Sequence, residues 1–289
     1  MTKGQSIARG AFFIVASELS FALSAAIIKL VSVSLPNECI VFFRNLFGLA
    51  ILAPLLLKAG SKILHTDCLH LHLVRAGFGM TAMYSFFFAL GKISLGDSML
   101  IKSTIPLIIP FVSLIWIKES ITQRVILAGV LGFIGVFLIL EPNGDTDWAS
   151  LVALGSSFMA AIAFVTVRQL SATEPILRIV TYFAICGTCI SAIPLLWAWQ
   201  TPTLTEYLML LGVGLTTTIG QMLLTRGYQN APASSVGIFT YTSVPFGTFL
   251  GWLFWDDLLD QNSFIGAILI IFAGFIILRT KVIQKQPNN

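Results

Sequence analysis

The chain has 289 residues, of which 56% are hydrophobic and only 10% are charged. Water-soluble globular domains carry about 25% charged residues, so this composition excludes a soluble domain. The formal net charge is +4. In membrane proteins such an excess comes from basic residues in the loops on one side of the membrane, so we expect no nucleic-acid partner.

Ten apolar runs follow one another along the chain, each about as long as a helix that crosses a bilayer core of about 30 Å. Glycine and proline occur freely within the runs, which favours helices over strands, because neighbouring helices can satisfy backbone groups that a proline leaves free. The sequence therefore predicts an all-α integral membrane protein with ten transmembrane helices. The runs lie near 10–32, 38–57, 73–91, 96–117, 123–140, 149–168, 175–198, 205–225, 232–255 and 263–280.

The loops differ strongly in charge between the two sides of this topology. With ten spans both termini share a side, and the loops on the opposite side hold Lys92 as their only basic residue. By the positive-inside rule, both termini lie in the cytoplasm and the protein lies in the cytoplasmic membrane. The basic residues on the side of the termini are Lys3, Arg9, Lys58, Lys62, Arg75, Lys118, Arg124, Arg168, Arg178, Arg226, Arg279, Lys281 and Lys285.

The chain contains an internal repeat, in which residues 89–140 correspond to residues 226–278. Each copy has a polar opening, an apolar stretch with proline, a charged break and a glycine-containing apolar stretch. The repeat divides the chain into five-helix halves at 1–144 and 145–289. Because five is an odd number, the second repeat is inverted relative to the first, an arrangement that supports alternating access in transporters.

These features resemble the EamA-type drug/metabolite transporters of the DMT superfamily, and the resemblance covers essentially the whole chain. It implies a transporter that exports, less often imports, small metabolites by alternating access, through a cavity lined mainly by helices 1, 3, 4, 6, 8 and 9. In the second half the proline is displaced by one position, and a pair of aspartates stands where the family usually has Gly-Glu. The residues that carry the resemblance are Phe43-Arg44, Pro106, Glu119, Ala128-Gly129 and Gly135-Val136, then Val244-Pro245, Asp257, Gly266-Ala267 and Gly274.

Glu18 is the first candidate for a functional residue, because ionisable residues inside a membrane are costly and usually functional. It lies about 12 Å into the first predicted span, near the midplane, and shares a helix face with Ala22, Ala25 and Lys29. A carboxyl group at this depth can bind a substrate or carry a coupling proton. The alternative is a buried acid satisfied by a neighbouring hydroxyl or basic group.

Lys29, Arg44 and Lys102 fall in the outer third of their predicted helices, about 5–10 Å below the external surface. Together they would form a positive vestibule for an anionic group. Alternatively, Lys29 snorkels to the interface, and Arg44 or Lys102 pairs with Asp97 or Glu38 to hold helices together. Lys102 is favoured among the three because it belongs to a helix that the resemblance places against the cavity.

Polar and aromatic side chains deep in three other helices complete a plausible cavity. Tyr84, Gln221 and Tyr241 carry hydrogen-bonding groups that need partners away from water. The same residue types also join helices in membranes without contacting a ligand, so both interpretations stay open.

Prolines at corresponding places in the two halves weaken their helices locally. Pro106 and Pro110 lie in the fourth span and Pro245 in the ninth. Interrupted helices at equivalent positions indicate a gate or binding region in repeat transporters, whereas kinks that serve only packing are the alternative.

The sequence contains no phosphate-binding loop, dinucleotide fingerprint, catalytic metal motif or nucleophile elbow. We expect no enzyme activity, catalytic residue or cofactor, and we interpret His65, His70 and His72 as part of a solvated loop rather than a metal site. The expected partners are a small-molecule substrate, membrane lipid and a coupling proton, for a monomer or a homodimer.

The leading hypothesis is a secondary active transporter that exports small polar or amphipathic metabolites, such as amino acids or related compounds. The alternative is a transporter of anionic metabolites, carboxylated or phosphorylated, that are held by Lys102 and Arg44. A membrane-embedded enzyme or lipid-handling protein ranks below both, because the chain offers no paired acid and base.

Overall fold

The computed structural model describes residues 7–116, 118, 122–140, 148–170, 173–230 and 237–279. The regular secondary structure of these residues is helical, and they contain no β-strand. Two 3-10 helices, Ser61–Leu64 and Gly237–Thr242, precede α3 and α11. Numbered in chain order, the α-helices are α1 (Ile7–Val31), α2 (Asn37–Ala59), α3 (Leu69–Leu90), α4 (Leu95–Lys102), α5 (Ile105–Trp116), α6 (Gln123–Leu140), α7 (Trp148–Leu170), α8 (Ile176–Ala192), α9 (Leu195–Ala198), α10 (Leu204–Asn230), α11 (Ser243–Trp255) and α12 (Gln261–Arg279).

Helical segments lie in all the ranges that the sequence predicts as spans. Within the described part of the chain, six stretches are long and apolar enough to cross a membrane, namely α1, α2, α3, α4 with α5, α7 and α10. The helices α6, α8 and α12 are shorter but apolar. Glu119 and the predicted boundary between residues 144 and 145 lie outside the described residues.

The fourth predicted span is two helices rather than one. A turn at Ser103 and Thr104 separates α4 from α5. Pro106 is the second residue of α5, where its missing N–H costs little, whereas Pro110 lies inside that helix. Lys102 and Pro106 therefore lie on either side of a two-residue interruption within the fourth predicted span.

The ninth predicted span is interrupted at the equivalent place. The 3-10 helix Gly237–Thr242 leads directly into α11, and Pro245 is the third residue of α11. The Ser103 and Ser243 hydroxyl oxygens lie 3.1 Å apart, within hydrogen-bonding distance. The interruptions of the two halves therefore contact each other.

Helices of the first half pack mainly against helices of the second half. The helix α1 lies along α10, α3 along α7, α2 against α8 and α4 against α11. The helices α6 and α12 approach closely at Gly135 and Gly266, where a Cβ atom on either glycine would lie 2.8 or 2.6 Å from the other's carbonyl oxygen. Small residues at such crossings let membrane helices pack backbone against backbone.

Small polar side chains join α1 to α10. The Ser20 hydroxyl donates to the Thr216 carbonyl at 2.7 Å, and the Ser24 and Thr217 hydroxyls lie 2.8 Å apart. These bonds hold α1 in the interior, where it also contacts α3, α4 and α11. The first helix is thereby surrounded by other helices.

Candidate functional site

Glu18 and Lys102 form an ion pair inside the bundle. The Lys102 Nζ atom lies 3.4 Å from the Glu18 Oε2 atom. The Glu18 side chain is 6% exposed and the Lys102 side chain 27%. Lys102 ends α4, and its ammonium also lies 4.8 Å from the ring centroid of Phe21. The pair therefore connects α1 to the interruption between α4 and α5.

This pairing contradicts the expectation that Lys102 pairs with Asp97 or Glu38. The Asp97 carboxylate instead accepts hydrogen bonds from Ser94 at 2.6 Å and Ser263 at 2.8 Å. Depth along a helix does not decide a partner, because the direction in which the side chain leaves the helix matters equally.

The predicted basic vestibule of Lys29, Arg44 and Lys102 is not assembled, since each side chain reaches a different partner. Lys29 donates to the backbone carbonyl of Ile93, and its ammonium lies 5.5 Å from the ring centroid of Trp255. Lys29 therefore joins α1 to the connection between α3 and α4.

Arg44 lies beside a second arginine that the sequence did not suggest. The guanidinium carbons of Arg44 and Arg75 lie 5.8 and 4.2 Å from the ring centroid of Phe183. Arg44 donates to Asn45 Oδ1 at 2.7 Å, and the Asn45 amide donates to the Val41 carbonyl at 2.9 Å. The expected pairing of Arg44 with Asp97 or Glu38 is wrong as well.

A narrow cleft adjoins the two arginines, with a volume of about 30 Å³. It is lined by side chains of α2, α3, α8 and α10, among them Thr218 and the predicted candidate Gln221. The Nε atom of Arg75 is buried without a hydrogen-bond partner. We call this feature, with Arg44, Arg75, Phe183, Thr218 and Gln221, the arginine cleft.

Tyr84 and Tyr241 do not line the arginine cleft. The Tyr84 backbone carbonyl accepts a hydrogen bond from Asn37 at 2.9 Å. Tyr241 is buried in an apolar cluster, and its ring packs against Gly274 of α12. In this structure Tyr241 fills the space beside a glycine between two helices.

A polar cluster clamps the loop before α3 onto α8. The Glu174 carboxylate accepts from the Thr66 hydroxyl at 2.7 Å and from Arg178 Nη1 at 2.5 Å. Arg178 Nε and the Tyr182 hydroxyl each donate at 2.7 Å to carbonyls of the 3-10 helix Ser61–Leu64. We call Thr66, Glu174, Arg178 and Tyr182 the loop clamp.

His72 belongs to this packed region and not to a solvated loop as the sequence suggested. It lies within α3, is buried, and stacks on Tyr182 with ring centroids 4.3 Å apart. The reason is that α3 begins at Leu69, one turn before the predicted span.

We expect Glu174→Gln to lower the melting temperature of the purified protein at neutral pH by about 2–4 °C, the shift for about 1 kcal/mol. Burial raises the pKa of the Glu174 carboxyl, but hydrogen bonds from Thr66 and Arg178 and the nearby positive charges outweigh it, so the pKa lies below its usual value. A lowered folded-state pKa contributes stability above the unfolded-state pKa, and this stability is lost as the pH falls through the folded-state pKa.

Thermal unfolding in detergent at several pH values measures this effect. The difference between Glu174→Gln and wild type should shrink as the pH falls below about 4. Asp67→Asn, in the same loop, serves as the control. A constant difference at all pH values would contradict a role for the ionised carboxylate.

Arg75 was not predicted as a functional residue because the predicted start of the third helix was wrong by one turn. A span beginning at residue 73 places Arg75 at the membrane surface, among the basic residues of the loops. Since α3 begins at Leu69, Arg75 lies six residues into the helix, about 9 Å along it. Extending the third span by one turn would have identified Arg75 as an intramembrane charge.

Known proteins resemble the chain over nearly its whole length. The model of the EamA-like transporter family matches it twice, at residues 8–141 and 147–279. The pseudopaline exporter CntI of Pseudomonas aeruginosa is 31% identical over 276 residues, which cover 94% of this chain and 96% of that protein. A riboflavin transporter of Vibrio cholerae is 26% identical over 288 residues, which cover 97% of each chain.

A solved structure shares the fold, with a TM-score of 0.67 at 16% identity over 95% of this chain and 96% of that one. The two family matches together span most of the sequence and agree with the packing of apolar helices described above. The chain belongs to the EamA-like transporter family and is a multi-pass membrane transporter of small molecules rather than an enzyme.

Proposed function

We propose that the protein is a secondary active transporter that exports small metabolites, such as amino acids or related polar or amphipathic compounds, across the cytoplasmic membrane. The observation that carries this proposal is the Glu18–Lys102 ion pair beside the interruption between α4 and α5. An intramembrane carboxylate paired with a lysine has two discrete states, paired and protonated, as a coupling site requires.

We infer ten spans, arranged as inverted five-helix repeats of residues 1–144 and 145–289, with both termini in the cytoplasm. The pairing of helices supports this symmetry, because α1 with α10 and α3 with α7 are equivalent pairs under exchange of the halves. The contact between Ser103 and Ser243 supports it too, since both residues lie at helix interruptions. Inverted repeats provide two equivalent conformations, one open to each side.

The ion pair links proton binding to the shape of α4 in this proposal. Protonation of Glu18 removes the charge that holds Lys102, the last residue of α4. The turn at Ser103 and Thr104 then serves as the hinge, because its backbone lies outside regular helix. Proton entry thereby favours one conformation, and substrate the other.

Export is the proposed direction because the pseudopaline exporter covers 94% of this chain at 31% identity. The excess of basic residues on the side of the termini supports a cytoplasmic location for both.

Transport by purified protein in liposomes tests the proposal, with a radiolabelled mixture of the standard amino acids as the probe. Wild type should accumulate label when a pH gradient is imposed and exchange label at equal pH. Glu18→Gln should reduce gradient-driven accumulation by about 100-fold, which is the lower end of the effect of removing an essential proton-transfer group. Exchange at equal pH should change much less, because it needs no net proton movement.

Glu38→Gln is the matched control, since Glu38 lies in the first turn of α2 and is not part of the ion pair. It should behave as wild type in both assays. The coupling role would be refuted if Glu18→Gln retained full accumulation with unchanged dependence on pH.

In the conformation described here Lys102 is paired with Glu18, which favours other residues as the anion-binding groups of the anionic alternative. The arginine cleft is a second positively charged site that suits the same class of substrate.

A further inference from the structure

Two positive charges lie inside the bundle without a negative partner. Among the described residues, neither Arg44 nor Arg75 has a carboxylate within 4.0 Å. Arg75 is 8% exposed and its Nε atom has no hydrogen-bond partner. Charges at such depth are normally paired, as Glu18 and Lys102 are, so the arginines mark a place where an anion is expected.

The surroundings of the arginines are neutral and polar on one side, aromatic on the other. No acidic residue lines the cleft. Asn45 occupies one donor of Arg44, while Thr218 and Gln221 add a hydroxyl and an amide from α10. A site with net positive charge, neutral hydrogen-bonding groups and an aromatic face is complementary to a small organic anion.

The two arginines lie near enough to each other for one anionic group to contact both. Their guanidinium carbons lie 5.8 and 4.2 Å from the same ring centroid, so they are at most about 10 Å apart. Guanidinium groups bind carboxylates through two parallel hydrogen bonds, a stronger and more specific contact than a lysine provides. The ring of Phe183 lies beside both and can pack against the apolar part of the ligand.

We propose that the arginine cleft binds the carboxylate group of the transported metabolite, with Arg75 and Arg44 as the anion-binding residues. This inference rests on the proposed transport function and names the chemical class of its substrate. It moves the binding site away from Lys102, which Glu18 neutralises, to α2, α3, α8 and α10.

The cleft must widen before a metabolite enters, because about 30 Å³ holds no more than about three water molecules. The loop clamp lies next to the cleft, because its member Tyr182 precedes Phe183 in α8. Tyr182 also stacks on His72, which lies three residues before Arg75 in α3. The clamp holds α8 against the loop before α3.

The test is thermal stabilisation of the detergent-purified protein by succinate, by its neutral diamide and by inorganic phosphate. Succinate should raise the melting temperature of wild type, and the diamide should not. Arg75→Gln and Arg44→Gln should each increase the succinate concentration needed by about 10–100-fold, the loss for one charge-assisted contact. Arg124→Gln, an exposed arginine at the start of α6, should respond as wild type.

A second readout separates binding from a structural role. Without ligand, Arg75→Gln should be at least as stable as wild type, because the variant removes an unpaired buried charge. Arg75→Lys keeps the charge and should recover part of the succinate response if the glutamine variant folds poorly. A large loss of stability in both variants, without ligand, would overturn the proposal.

Other results would also overturn it. These are no response to succinate, an equal response to the diamide, a response to phosphate alone, or an unchanged response in Arg75→Gln. Failure of transport is distinguishable from failure of this inference. If Arg75→Gln transports amino acids as wild type does, the transport function is supported and this binding site is refuted. If succinate binding depends on the arginines but no transport is observed, the binding site is supported and the transport function is refuted.

Discussion

Lys102→Gln should destabilise the protein far more than Glu18→Gln, although both variants remove one charge of the same pair. Without Lys102, the Glu18 carboxylate, whose side chain is 6% exposed, remains buried without its ion-pair partner. Stranding a buried charge costs about 3–5 kcal/mol, or the group must take up a proton. Without Glu18, the Lys102 ammonium keeps 27% exposure and the face of Phe21, so it is less isolated.

The double variant Glu18→Gln/Lys102→Gln decides whether the two effects are coupled. The double variant leaves neither charge unpaired and should recover most of the stability that Lys102→Gln loses. Replacing a buried ion pair by uncharged groups often changes the stability very little. Thermal unfolding in detergent provides the comparison, and Lys58→Gln, at the exposed end of α2, controls for loss of a lysine. Losses that simply add in the double variant would show that the two residues do not interact.

Gly135→Ala and Gly266→Ala should each sharply reduce the yield and stability of folded protein. A Cβ atom at either position would lie under 3.0 Å from the carbonyl oxygen of the other glycine. Because the obstacle is backbone, α6 and α12 would have to move apart, with the loss of packing along both helices. Overpacking of this kind costs about 1–3 kcal/mol at each site.

Gly155→Ala is the matched control, because nothing lies within 4 Å of a Cβ atom at Gly155 in α7. Alanine favours helix over glycine by about 1 kcal/mol, so the control should be stabilised slightly. Size-exclusion chromatography and thermal unfolding of the three variants distinguish the effects. Equal behaviour of all three variants would contradict the close helix crossing.

Membrane helices and their approximate ends were predictable from hydropathy and length, because a bilayer demands long apolar helices whatever the tertiary contacts. The interruptions were only partly predictable. Pro106 and Pro245 marked their location, but a proline in a sequence does not distinguish a kink inside a helix from a new helix that begins beside it.

Candidate residues were predictable by type and depth, while their partners were not. Glu18 and Lys102 both stood out as intramembrane charges, yet they are 84 positions apart and no local pattern joins them. Arg75 was missed because an error of one turn at the start of α3 moved it from the interior to the surface.

The sequence by itself determined the class of the protein, its family resemblance and the depth of most of its charges. Composition, run length and the internal repeat carry that information residue by residue along the chain. Only the tertiary structure decided that Glu18 neutralises Lys102 and that Arg44 and Arg75 share Phe183 without an acid. The physical reason is that a partner depends on how helices rotate and cross, which is set by packing between distant segments such as Gly135 and Gly266.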